Sequence, residues 1–164
     1  MNKRIVEVVS WAIVVWMCYV FLLSLPYKFT LHPDTQHIFG TIGKWMGGFL
    51  GAGIGSLFAN VGPFVVGGFE LLTSLVLLTP AVLWGLSKLG RGKNCGTRTS
   101  YHKLGGLMAS AVMAGAVFFH LATPLGIEVL HEGKSDNGSL FYSATSILVL
   151  GLVLFFINRQ IEKE

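Results

Sequence analysis

Charge is what this chain has least of: 12% of its 164 residues are Asp, Glu, Lys or Arg, about half the usual share of a soluble domain. That scarcity, beside 52% hydrophobic residues, excludes a disordered chain and an ordinary soluble enzyme. Cysteine is also rare. Cys18 and Cys95 stand alone, one inside an apolar run and one in a basic loop. No CxxC or metal-ligand spacing exists, and a disulfide framework is excluded. Phosphate-binding glycine loops, nucleophile elbows, HExxH and haem CxxCH are missing too. The net charge of +4 does not point to nucleic acid, because the basic residues sit in short loops between apolar runs.

Those runs are Ile5–Leu25, Phe64–Leu86, Leu104–Ile127 and Leu140–Ile157. Each approaches or exceeds the ~20 apolar residues that cross a bilayer as a helix. The first follows Lys3 and Arg4 but lacks a small-x-small cleavage site, so it reads as an uncleaved anchor. Lys and Arg orient the spans. Nine lie at the amino end, in Lys88–Lys103 or in the tail, and three (Lys28, Lys44, Lys134) lie between spans 1 and 2 or 3 and 4. The expectation is one domain, residues 1–164: an all-α membrane protein with four transmembrane helices in a bundle. Both termini are expected to be cytoplasmic, in a bacterial inner membrane.

Tyr27–Pro63 needs its own account. With Asp34 as N-cap, Ile38, Phe39, Ile42, Trp45, Met46 and Phe49 recur at helical spacing, which predicts an amphipathic helix at the membrane interface. Met46–Ala59 continues apolar, with Gly47, Gly51 and Gly55 spaced for close helix approach. Its length of roughly 21 Å falls short of the roughly 30 Å core. Residues 34–59 are therefore expected to form an outer-face amphipathic or re-entrant segment.

Polar residues gather in the outer halves of the spans. Glu70 lies roughly 9 Å into span 2, where an unpaired charge costs at least about 2.5 kcal/mol. Thr73 and Ser74 extend its stripe. His120 lies at matching depth in span 3, with Thr123 on its face and Pro124 expected to kink the helix and free the His120 carbonyl. Tyr142, Thr145 and Ser146 share a face of span 4. The inner halves offer little beyond Ser10, Thr79 and Ser110. The expectation is a polar pocket in which Glu70 and His120 meet, with Lys28, Thr73, Thr123 and Tyr142 as ligand contacts. The plainer alternative is a structural pair, with hydroxyls bonded back to their own helices. His32, Asp34 and His37 could suggest a metal, but their spacing matches no strong motif and a capped helix explains them. Asn137-Gly138-Ser139 is a formal glycosylation sequon.

These residues resemble the DoxX-like family of small bacterial inner-membrane proteins. The likeness rests on four short spans, Tyr27-Lys28-Phe29, Gly67-Gly68-Phe69-Glu70-Leu71-Leu72 leading to Leu78-Thr79-Pro80, and Phe118-Phe119-His120-Leu121. It does not extend to the glycine-rich Met46–Ala59. The resemblance implies a membrane subunit of a quinone-linked oxidoreductase, with Glu70 and His120 exchanging protons with a quinone. Electrons would come from a partner protein, since no metal, nucleotide or other carrier is indicated. Whether the chain is itself catalytic stays open. The alternatives are a small-solute or proton-coupled carrier, as a homo-oligomer packed through Gly47, Gly51 and Gly55, and a non-catalytic assembly factor.

Overall fold

A computed structural model describes residues 3–90 and 96–162. Arg91, Lys93, Cys95 and Lys163, which entered the charge and cysteine readings, lie outside the described residues.

The first span becomes α1 (Lys3–Phe29), about 40 Å of helix. It ends in a tight turn in which Thr30 N and Oγ1 both reach the Pro26 carbonyl, and Leu31 takes a left-handed φ of 51°. Helix α2 (Pro33–Leu50) starts at once. Its N-cap is His32, whose Nδ1 accepts from Asp34 N, and not Asp34 as expected. Pro33 occupies the first helical position, where a missing N–H costs nothing.

The second correction concerns 34–59. Met46–Ala59 is not one segment: Gly51, at φ +96°, breaks it into the end of α2 and the start of α3 (Ala52–Lys88). A side chain there would be strained. Span 2 thus starts twelve residues before Phe64. At 37 residues α3 is about 55 Å long, well beyond a bilayer core of roughly 30 Å. Gly67 of α3 packs on Phe29 at the end of α1, so residues 52–66 run on past α1 and pair with α2. In that antiparallel hairpin a Cβ on Gly43 would lie 2.5 Å from the Gly55 carbonyl, and one on Gly55 would lie 2.9 Å from Gly47 Cα. A Cβ on Gly51 would meet nothing within 4 Å among the described residues. Gly47 and Gly55 therefore approach each other within the chain.

Helix α4 (Arg98–Ala122) is capped by Thr97, whose Oγ1 accepts from Ser100 N. It ends before Pro124, which terminates the span rather than kinking it. Two-residue strands β1 (Leu130–His131) and β2 (Lys134–Ser135) form an antiparallel hairpin. Helix α5 (Ser139–Ile161) runs four residues past the expected Ile157.

Four of these helices are long and apolar enough to cross a membrane: α1, α3, α4 and α5. Inside the bundle Val14, Met17, Phe21, Leu77, Ala109, Ile147 and Leu154 are buried together. The outside is just as apolar, with Val15, Tyr19, Leu23, Leu75, Leu121, Val149 and Phe156 exposed. Helices hydrophobic all round suit lipid rather than water as solvent. A smaller core of Ile42, Leu125 and Val129 joins α2 to the α4–α5 connection. The bundle therefore has a hairpin end and a termini end.

Candidate functional site

Ser24 and Lys28 sit four residues apart on α1, hence on one face. Both point at Glu70 of α3, which is 3% exposed. Ser24 Oγ donates to Glu70 Oε2 at 2.7 Å, and Lys28 Nζ donates to Oε2 at 2.8 Å and to Oε1 at 3.1 Å. Gly67, one turn before Glu70, gives the Lys28 stem and the Phe29 ring room to approach. A low-dielectric carboxylate is thereby matched in charge and in hydrogen bonds, the condition under which a buried ion survives.

His120 does not join this group. Its Nδ1 lies 2.6 Å from the Gly126 carbonyl, and its ring meets the Phe141 ring edge-on at 5.7 Å. The expected Glu70–His120 pair is replaced by two separate attachments, and the reason is geometric. Lys28, at the last turn of α1, reaches Glu70 first. Because α4 stops before Pro124, the chain turns back over His120 and offers it a carbonyl.

The other expected contacts disperse as well. Thr73 Oγ1 donates to the Phe69 carbonyl and Thr123 Oγ1 to the Phe119 carbonyl, the back-bonding common for helical hydroxyls. Tyr142 is 63% exposed and packs on Phe141 and Gly138. Of the sequence-derived set, only Lys28 and Glu70 come together.

Next to His120, Asp136 organises the α4–α5 connection. Its carboxylate accepts from the backbone N–H groups of Val129, Gly138 and Leu140. Burial works to raise its pKa, but those N–H groups outweigh burial and hold it below the usual carboxylate range. Asp34 joins the α2 start to the β-hairpin. It lies 2.7 Å from His131 Nδ1 and 3.2 Å from His32 Nδ1, while His37 stacks on His131 at 4.6 Å. The His131 hydrogen bond lowers the Asp34 pKa. Among the described residues no three His, Cys, Asp or Glu side chains converge as metal ligands.

The termini end holds polar residues that the sequence reading missed. Asn158 is fully buried; its Nδ2 donates to Ser10 Oγ at 3.0 Å and to the Leu154 carbonyl at 2.9 Å. His102 is 0% exposed, and among the described residues neither ring nitrogen has a hydrogen-bond partner. Its ring stands at 89° to the Trp11 indole, centroids 4.7 Å apart. An unpaired buried group of this kind costs about 1–3 kcal/mol. Both residues lie just outside the apolar runs taken as spans 3 and 4. Extending those runs by one helical turn would have brought both into the bundle.

Fold and site together define a multi-pass α-helical membrane protein with a buried ion pair between two of its long apolar helices. No protein-family profile, curated protein or solved structure matches the chain.

Proposed function

We propose that this chain is a quinone-interacting membrane subunit of a redox complex, with the Lys28–Glu70 pair as the polar end of its quinone site. One observation carries the reading: a lysine ammonium held inside the apolar bundle with donor capacity to spare. The ammonium has three N–H groups, and its contacts to Glu70 lie on a single carboxylate. The Lys28 side chain keeps 15% exposure, enough for a carbonyl oxygen to reach it from the lipid side. Apolar walls with a few fixed donors suit an isoprenoid quinone. A quinone would supply the electron transfer, with electrons from a partner protein. The DoxX-like resemblance points the same way. The basic residues, nine against three, support cytoplasmic termini, with the ion pair toward the outer leaflet of a bacterial inner membrane.

Replacing both partners by apolar residues tests this without stranding a charge. Lys28→Met combined with Glu70→Leu should fold, yet organic extracts of the purified protein should lose the quinone that the native chain retains. A native chain purified from its own membranes without quinone would refute the reading. It would favour the ligand-free assembly factor, which has one observation behind it: both Glu70 oxygens are already bonded.

A further inference from the structure

At the termini end, α1, α3 and α4 enclose a half-open groove of about 420 Å³ lined by Glu7, Trp11, Pro80, Ala81, Trp84 and Arg98. It lies opposite the Lys28–Glu70 end and shares no residue with it. Two of its residues carry opposite charges and two present indoles. Glu7 Oε1 is 3.9 Å from Arg98 Nε, too far for a hydrogen bond. The two charges face each other without closing on each other. The Arg98 guanidinium has five donors, and among the described residues it makes, beyond Glu7, one long contact, Nη1 to Asn158 Oδ1 at 3.4 Å. Arg98 also opens α4, so the helix dipole adds positive potential there. Trp11 is fixed in orientation by its edge-on contact with the buried His102. Trp84 is 68% exposed, with Lys88 Nζ 5.7 Å above its ring.

We propose that this groove holds the headgroup of a zwitterionic phospholipid, its phosphate on Arg98 and its ammonium between Glu7 and the indole faces. A purely anionic headgroup would set its charge beside Glu7, and a purely cationic ligand would meet Arg98 and Lys88. A linked phosphate and ammonium answers both. The planar guanidinium fork recognises phosphate, and a carboxylate beside aromatic faces recognises an ammonium. Exposed Val8 and Val82 lie beside the groove residues on α1 and α3, so the acyl chains continue along the lipid-facing surface of the bundle.

The test uses the full chain in mild detergent, with phosphatidylethanolamine and phosphatidylglycerol at equal mole fraction and adducts read by native mass spectrometry. Phosphatidylethanolamine should be retained roughly two- to fivefold over phosphatidylglycerol, the size of one exposed cation–π contact. Glu7 is more than half exposed, so Glu7→Gln should fold normally and abolish that preference. Trp84→Ala should lower retention of phosphatidylethanolamine. Equal retention of the two lipids by the native chain would overturn the proposal, as would a preference unchanged in Glu7→Gln. In a second arm, tryptophan fluorescence is followed as inorganic phosphate is added in lipid-free detergent. No change is expected; a saturable change would assign the groove to free phosphate and overturn the lipid assignment.

Discussion

Glu70 and His102 are both ionisable, both buried in the same bundle, and opposite in every other respect. Glu70, at the hairpin end, has a cation and a hydroxyl on its carboxylate. His102, at the termini end, packs edge-on against the Trp11 indole, and among the described residues no hydrogen bond reaches its ring nitrogens. Burial alone therefore does not mark a residue as stabilising; partnership decides. Removing one partner of a buried pair strands the other charge, whereas an unpaired imidazole carries its penalty as it stands.

The largest expected effect follows from removing one side of the pair. Glu70→Ala strands the Lys28 ammonium and should cost about 3 kcal/mol of stability in detergent. Adding Lys28→Met to Glu70→Leu should recover most of such a loss. Thermal unfolding followed by circular dichroism measures both, and a double variant as unstable as Glu70→Ala would break the contrast.

Slightly smaller is the effect at the hairpin. Gly55→Ala drives a methyl into the backbone of Gly43 and Gly47 and should cost about 1–3 kcal/mol. A Cβ on Gly53 would meet nothing within 4 Å among the described residues, so Gly53→Ala should gain up to about 1 kcal/mol of helix propensity. Proteolysis near Gly51 should accelerate in the first variant and not in the second.

His102→Leu inverts the Glu70 result. It removes two unpaired nitrogens for an apolar side chain of similar size, and should leave the melting temperature unchanged or raise it, by the equivalent of about 1 kcal/mol. A loss as large as that of Glu70→Ala would mean that His102 is partnered after all.

The smallest effect is electrostatic and lies outside the spans. Asp136 and Asp34 have folded-state pKa values below the ordinary 3.8. Their contribution is complete above that value and is lost as pH falls through the lowered folded values. Asp136→Asn should therefore flatten the acid limb of stability against pH below about 4 while leaving the neutral plateau nearly flat. Glu162, lowered by its hydrogen bond to Lys103, gives the termini end an acid limb of the same sign.

The four spanning helices and the helical character of 34–50 were legible because hydropathy and period are local properties. Glu70 was legible as an anomaly, since a carboxylate amid Gly67–Leu78 has no local excuse. Its partner was not. Lys28 and His120 lie at similar depth, and only the packing of α1 on α3 through Gly67 decides between them. Gly47, Gly51 and Gly55 share a spacing that suggests one seam, yet a φ of +96° makes Gly51 a hinge and leaves the other two facing each other. Asn158 and His102 were missed because helices outlast their apolar runs: a span ends where hydropathy falls, but backbone hydrogen bonding continues until a cap such as Thr97 ends it.

A double-mutant cycle in thermal unfolding tests the partner assignment most directly. Lys28→Met and Glu70→Leu should couple by more than about 1 kcal/mol, while His120→Leu and Glu70→Leu should add within about 0.5 kcal/mol. Coupling between Glu70 and His120, with additive effects at Lys28, would contradict that assignment.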